Sequence, residues 1–323
     1  MTHAALPKVS VCIPTYNYAR FLPEAIESVI AQSFTDFEVL VIDDCSRDGT
    51  PEVVREYAGR DPRIDFRKNP VNLGMVENWN LCLRLARGEY IKFLFGDDAF
   101  CSNDAMRRMV DVLDSEKSVS LVASARNVVD ETSRVIDVWS GFPDAFIRKG
   151  GEVIRLCLES QMNLIGEPSV VMFRKAQSMR GFNRRYRHLM DEEMWFHLLE
   201  QGRFAYIGEP LCVFRQHRAQ QTRINAELGV DIDDMFLLFD EYLARYGRSG
   251  ATKNRIDRAY LEYTRAHRIW KELRTGRIDP RDAFRRISEC YGIPGFFLLF
   301  PFYKFYCEYR RARWRSARKS LWR

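Results

Sequence analysis

Apolar residues in the first hundred positions alternate between two periods. Short, nearly continuous aliphatic and β-branched runs occupy 9–13, 37–42, 64–67 and 90–95. Runs of this length bounded by polar or glycine-containing segments predict buried strands. Between them the spacing becomes helical. Leu22, Ile26, Val29 and Ile30 share one face of 21–32, and similar patterns cover 50–57 and 75–86. Thr50 is placed to cap the second helix, Pro51 suits its first turn, and Gly88 stops the third. Strand and helix in alternation predict stacked βαβ units and a mostly parallel sheet.

Beyond residue 100 the pattern predicts a helix at 104–113, a strand at 120–124, a helix at 152–159 and a strand at 169–173. A helix at 191–201 and short strands at 205–207 and 211–215 follow. The stretch 128–150 is mixed and punctuated by glycine and proline. After about residue 225 charged helical segments dominate. These changes divide the chain into a first domain at 1–224, with halves at about 7–125 and 126–224, and a helical extension at 225–323.

In open parallel sheets ligands gather at the carboxyl ends of the strands. Three predicted strand ends carry polar clusters: Pro14-Thr15-Tyr16-Asn17, Asp43-Asp44 and Asp97-Asp98. Their convergence on one edge is the first functional statement the pattern makes.

Composition narrows the picture. The chain has 323 residues, 46% hydrophobic, with 22 Phe and 14 Tyr, which supplies a sizeable core and excludes a wholly disordered chain. The eight cysteines form no CxxC or Cys/His cluster of zinc spacing and read as small core residues of a reduced, cytoplasmic protein. No apolar signal region opens the chain, and no apolar run reaches the roughly 18 residues needed to span a bilayer.

The chemistry follows from charge. Carboxylates alone repel a nucleotide diphosphate, so an aspartate pair beside one holds a divalent cation between protein and phosphates. Asp97-Asp98 fits Mn2+ or Mg2+; such pairs also cap helices. Asp43 and Asp44 can accept hydrogen bonds from a base or ribose. Asp191-Glu192-Glu193 opens a helix and offers a general base, or simply favourable charge at a helix N-terminus. Arg215 can pair with phosphate, and His217 can ligate metal or serve structurally.

Read in order, the segments VSVCIPTYN (9–17), VIDDCSRDGT (41–50), NLG (72–74) and GEYI (88–91) leading into FGDD (95–98) resemble the family 2 glycosyltransferases over about residues 7–220. The resemblance implies the GT-A fold: an α/β, Rossmann-like central sheet flanked by helices. It also implies inverting, metal-dependent transfer of a hexose-type sugar from a nucleotide sugar, most often a UDP sugar.

By position, Pro14, Thr15, Tyr16 and Asn17 line the nucleotide pocket. Asp44 bonds the base, with Asp43 beside it and Asn72 close by. Asp97 takes the metal-binding last place of an Asp-x-Asp motif whose first place is Phe95 here; Asp98 compensates. Asp191 keeps the base position after Met190, where relatives often carry Glu. Arg215 and His217 match an Arg-x-His element near metal and diphosphate. The Gln-x-x-Arg-Trp motif of processive synthases is absent, which favours single-sugar transfer onto a glycan or lipid-linked glycan in cell-surface polysaccharide synthesis.

Two other readings remain. A sugar nucleotidyltransferase shares the α/β plan, but needs a glycine-rich, basic loop where Pro-Thr-Tyr-Asn stands. A non-catalytic nucleotide- or carbohydrate-binding protein would explain Phe95 and Met190.

Net charge is +6, concentrated late: 309–323 is arginine-rich and free of acids. The aromatic segment 293–306, with Phe296, Phe297 and Leu298, precedes it. Together 293–323 predict either peripheral contact with the cytoplasmic face of the inner membrane or packing on the protein. Nucleic acid is not expected as a partner.

Overall fold

The computed structural model describes residues 6–160, 162–218, 220–227 and 230–246, with scattered positions between 263 and 298. The predicted contact segment 293–323 lies outside the described residues except at 294–298. The chain divides into two compact units: Met1–Cys157 with Met162–Arg223, and Leu158–Gln161 with Ile224–Arg323.

The first unit alternates as the pattern predicts. β1 (Val9–Thr15), α1 (Leu22–Ile30), β2 (Phe37–Asp43), α2 (Thr50–Arg60), β3 (Ile64–Lys68), α3 (Met75–Leu85) and β4 (Tyr90–Phe93) come first. β5 (Ala99–Phe100), α4 (Ala105–Ser115), β6 (Val119–Val129), β7 (Val135–Trp139), β8 (Phe146–Lys149) and α5 (Gly150–Ser160) follow. β9 (Val171–Arg174), α6 (Met190–Leu199) and β10 (Arg203–Arg215) complete it.

The sheet order is β3-β2-β1-β4-β9-β6-β10-β5, with β7 on β6 and β8 on β10. β3, β2, β1 and β4 pair in parallel, as do β6 and β10. β9 runs antiparallel to both neighbours, β4 and β6, so all six strands share one direction around a single reversed one. β1, β2 and β4 are buried along their whole length, which is why they read as unbroken apolar runs. α3 packs on β1 and β2, and α1, with Leu22, Ala25, Ile26 and Val29 buried, packs on β5 and α2.

Several boundaries differ from the sequence pattern: β6 runs on to Val129, and the two short strands expected at 205–207 and 211–215 form one strand, β10. β1 continues through Pro14 to Thr15. Its pairing with β4 stops at Cys12–Phe93, so the missing Pro14 N–H falls where no β4 partner remains. β4 ends at Phe93 rather than at 95, because the chain then turns: Asp98 N donates to Phe95 O at 3.0 Å. α2 is capped by Asp48, which accepts from Thr50 N at 3.0 Å, while the Thr50 hydroxyl accepts from Tyr18 N at 3.1 Å. Gly88 marks a close approach as well as a stop: a Cβ there would lie 2.5 Å from Ser10 N.

The second unit contains α7 (Gln221–Glu227, whose first turn lies before the division), α8 (Val230–Tyr246) and α9 (Pro280–Tyr291). Its core joins Tyr263, Ala266, Ile269, Ala283, Ile287 and Phe296. Tyr263 stacks on Phe296 at 5.3 Å between ring centroids and donates to its carbonyl. Phe296 is therefore removed from the expected membrane-facing set by packing, whereas Phe297 and Leu298 are exposed. No helix among the described residues is long and apolar enough to cross a membrane.

Candidate active site

The turn after β1 and the turn after β2 are stitched together. Asp44 N donates to Thr15 O at 2.9 Å, and Asn17 N donates to Ser46 Oγ at 2.8 Å. Arg47 N returns a bond to Asn17 Oδ1 at 2.9 Å, and Ala19 N donates to Asp48 at 3.1 Å. Asn17 and Cys45 both hold positive φ, 58° and 65°, so the two turns bend sharply toward each other. The carboxylate of Asp48 is opposed by burial, but the hydrogen bonds from Thr50 and Ala19 lower its pKa.

Asp44 organises the third wall. Its Oδ1 accepts from Asn69 Nδ2 and Leu73 N, both at 2.8 Å, and its Oδ2 accepts from Gly74 N at 2.9 Å. Asn72 closes the loop by donating to Asp44 O and accepting from Gly74 N. Gly74, at φ 81°, supplies the left-handed step into α3. A carboxylate has about four lone-pair sites, so Asp44 keeps one on Oδ2 for a ligand N–H or O–H. Asp43 Oδ1 accepts from the Ser46 hydroxyl and backbone, but its Oδ2 and Thr15 Oγ1 are buried without a hydrogen-bond partner. Lys68 Nζ stands 3.9 Å from that Oδ2. Both oxygens are enclosed by protein, Thr15 Oγ1 beside Gly96, and the two residues pair across β1 and β2. Tyr16 stands 44% exposed beside them.

The turn after β4 carries the second cluster. Asp97 Oδ2 meets His217 Nε2 at 3.0 Å, both side chains nearly buried. Tyr18 adds a hydroxyl bonded to Asp97, and burial and then the Asp97 and Asp98 charges push its pKa up. Asp98 turns elsewhere. Its Oδ1 accepts from Arg215 N at 3.0 Å, and Ser169 also bonds it. Burial and then the neighbouring Asp97 raise its pKa well above the usual carboxylate range.

A fit to a divalent cation thus differs from expectation. Among the described residues no group of three His, Cys, Asp or Glu is arranged for metal. Asp97 and His217 present one carboxylate oxygen and one imidazole nitrogen together, a donor pair that suits Mn2+ or Mg2+ when a diphosphate supplies the remaining oxygens. Asp98, expected among the metal ligands, turns Oδ1 to Arg215 N and is also bonded by Ser169. Arg215, expected at the phosphate, is engaged by protein groups. Its guanidinium is 1% exposed and bonds Asp97 O, Asp130 O, Ser133 Oγ and Glu24 Oε2. It holds the Asp97 turn to α1 and to the β6–β7 connection rather than presenting a free fork to phosphate.

Asp191 lies in the first turn of α6, half-buried, with Oδ1 accepting from Glu192 N at 2.8 Å. Glu192 is buried, and burial followed by the Asp191 charge lifts its pKa to about 8. Glu193 is held by Arg180 through both carboxylate oxygens, at 2.9 and 2.8 Å. One turn on, Trp195 Nε1 donates to Gly166 O at 3.0 Å. Three residues after Gly166, Ser169 Oγ accepts from Phe95 N at 3.1 Å, and Ser169 O accepts from the buried Lys92 ammonium. The segment 166–169 therefore ties the helix that bears Asp191 to the turn that bears Asp97. The sequence pattern alone marks only a strand at 169–173 in this stretch. It missed Tyr18, Lys92, Glu24 and the linking part of Ser169, none of which sits in a charged cluster that would announce it.

The six co-directional strands around a reversed β9, with acidic turns at their carboxyl ends, define a GT-A fold. Residues 10–150 match the Glycosyl transferase family 2 profile. An uncharacterized Mycobacterium tuberculosis protein is 30% identical over 230 residues, 68% of this chain and 70% of that one. The chain belongs to glycosyl transferase family 2. Among solved structures, Staphylococcus aureus TarS 1-349 in complex with UDP superposes with a TM-score of 0.62 at 18% identity, over 97% of this chain and 91% of that one. The Pyrobaculum calidifontis mannosyltransferase PcManGT, in complex with GDP-Man and Mn2+, gives 0.55 at 20% identity, over 99% and 88%. The chain spans only 33% of the Escherichia coli chondroitin synthase it also matches, at 28% identity over 75% of this chain.

Proposed function

We propose that the protein is an inverting transferase that moves a sugar from a nucleotide-diphosphate sugar to a hydroxyl of a glycan or lipid-linked glycan in polysaccharide biosynthesis. The observation that carries this is the cradle: two turns and an Asp44-held loop, with a lone-pair site left on Asp44 Oδ2 for a ligand. Pro14, Thr15, Tyr16, Asn17, Asp43, Asp44 and Asn72 receive the nucleoside, for which UDP is the first candidate. Asp97 and His217 would hold Mn2+ or Mg2+. The cation would neutralise charge on the departing diphosphate.

Asp191 takes the proton of the attacking acceptor hydroxyl. Burial and then the Asp191 charge push the Glu192 pKa up to about 8, which favours its protonated form beside Asp191. Ser169 fixes the distance between the two acidic centres by bonding the Asp97 turn on one side of 166–169. Domain roles follow: 1–224 carries donor and acceptor chemistry, and 225–323 is an accessory extension. Its basic, aromatic end, 293–323, docks at the cytoplasmic leaflet; truncation after residue 292 should abolish binding to anionic vesicles, and unchanged binding refutes that part.

Thermal-shift titration with UDP, GDP, dTDP and CDP, each with Mn2+ or Mg2+, tests the cradle. Transfer or hydrolysis of the matching nucleotide sugar tests the reaction. Phe95 at the first place of the Asp-x-Asp motif and Met190 ahead of Asp191 favour a second reading, a nucleotide-sugar-binding protein without turnover. Nucleotide binding with no hydrolysis and no transfer across a panel of glycan acceptors would select it.

A further inference from the structure

A second cavity lies outside this site. α3 and the chain at 178–184 enclose an open cleft of about 470 Å3. Its floor is a tight seam: Asn80 Nδ2 donates to Phe182 O at 3.1 Å, and Phe182 N donates to Asn80 Oδ1 at 2.6 Å. Gly181 sits in that seam at φ 76°, and a Cβ there would fall 2.6 Å from Asn80 Oδ1. Leu83 and Phe182 give the cleft an apolar wall, and Met179 stands exposed at its rim.

Three guanidiniums line it: Arg84, Arg180 and Arg184, with no acidic residue among the lining side chains. Arg184 is paired with Glu77 and Arg180 with Glu193. Arg84 has no acidic partner among the described residues and is exposed. From Glu77 to Arg84 is seven residues of helix, or about 10 Å. The cations are therefore distributed along the cleft. Its volume lies within the roughly 300–1,000 Å3 of small-molecule sites.

We propose that this cleft binds an anionic saccharide segment, one whose sugar rings carry carboxylate or phosphate groups. The inference rests on the glycosyl-transfer reading above: the segment is a stretch of acceptor chain distant from the reacting hydroxyl. Arginine forks match carboxylate and phosphate geometry, while Met179, exposed at the rim, accepts the apolar face of a sugar ring. The wall at 178–184 runs directly into α6, and Arg180 grips Glu193 two residues beyond Asp191. The cleft and the base thus share one continuous stretch of chain. A recess between a helix and a loop suits a narrow chain better than a planar lipid surface. It also presents no exposed aromatic ring on which a nucleic acid base could stack.

The test uses the full chain and three probes. They are a glucuronate-bearing tetrasaccharide, the same tetrasaccharide with its carboxyls reduced to alcohols, and phosphatidylglycerol vesicles. Calorimetry on the wild type should show at least tenfold tighter binding of the charged tetrasaccharide than of the reduced one. Arg84→Glu should weaken the charged tetrasaccharide at least tenfold while UDP binding and the melting midpoint stay unchanged. Arg84→Ala, which adds no charge, should move binding in the same direction. Equal affinities for the two tetrasaccharides, or no effect of either substitution, overturns the proposal. Vesicle binding that depends on Arg84 without saccharide binding overturns it in favour of a lipid surface. Loss of UDP binding by the wild type would instead strike the functional reading, which these variants leave separate.

Discussion

The nucleotide cradle and the acidic rim beyond it are built on opposite principles. The cradle is held by neutral and charge-assisted hydrogen bonds between backbone and short side chains, so its shape is set before any ligand arrives. The rim, from Asp97 to Asp191, is held by buried ionisable groups: Asp98 and Glu192 with raised pKa values, and Lys92 lowered by burial. The first region stores geometry and the second stores charge. A donor needs a fixed seat for its base, whereas a reacting centre needs carboxylates in assigned protonation states.

Substitutions at the rim should abolish turnover and spare binding. Asp191→Asn is expected to lower turnover by about 10²–10⁴, the span of general-base contributions, with nucleotide affinity retained. Asp97→Ala should lower it at least about 10²-fold and remove any stimulation by added Mn2+. Steady-state rates beside calorimetric UDP binding check both. Near-normal turnover in Asp191→Asn would cancel the role given to it.

The cradle should respond in the opposite way. Asp44→Asn replaces an acceptor of three N–H bonds with an amide that must turn its NH2 toward one donor. The expected result is a donor KM raised about tenfold or more with a smaller change in kcat, and about 1–3 kcal/mol of stability lost. A pure kcat effect would erase the distinction between the two regions.

A smaller effect separates them by pH. Burial and then the Asp191 charge push the Glu192 pKa from its ordinary 4.5 up to about 8 in the folded chain. Between those values the folded state holds the extra proton, so the group's contribution favours folding below about 4.5 and is lost as pH rises through about 8. Urea melts of the wild type should therefore weaken from pH 5 to pH 8 more than those of Glu192→Gln. Parallel slopes would show that Glu192 ionises freely. The smallest change belongs to the surface: Arg55→Ala breaks an exposed pair with Glu52 and should shift stability by under about 1 kcal/mol, with no effect on either region's assay.

Legibility in the sequence follows the same division. The cradle lies on three consecutive βα units, so Pro14, Asp43, Asp44 and Asn72 are close in the chain and could be read directly. The rim is assembled across long separations: His217 reaches back to Asp97, and Ser169 to Phe95. Residue type suggested Asp98 for the metal and Arg215 for phosphate; in the structure Asp98 accepts from Arg215 N, and the Arg215 guanidinium bonds Glu24, Ser133 and the carbonyls of Asp97 and Asp130. The reversed strand β9 was also hidden, because an apolar run records that a strand is buried without recording its direction.

That reversal has an architectural corollary. Val171, the first residue of β9, lies level with the last residues of β4, whereas Arg174 pairs with Tyr90 at the far end. Every other central strand brings the chain out at the working edge; β9 takes it in there. Residues inserted ahead of Pro168 would enlarge the reactive mouth from the incoming side without shifting a single sheet pairing. Residues inserted after Arg174 would emerge at the opposite pole. Length changes can thus accumulate at one junction, ahead of Asn163, while the tie from 166–169 to Trp195 and Phe95 stays intact.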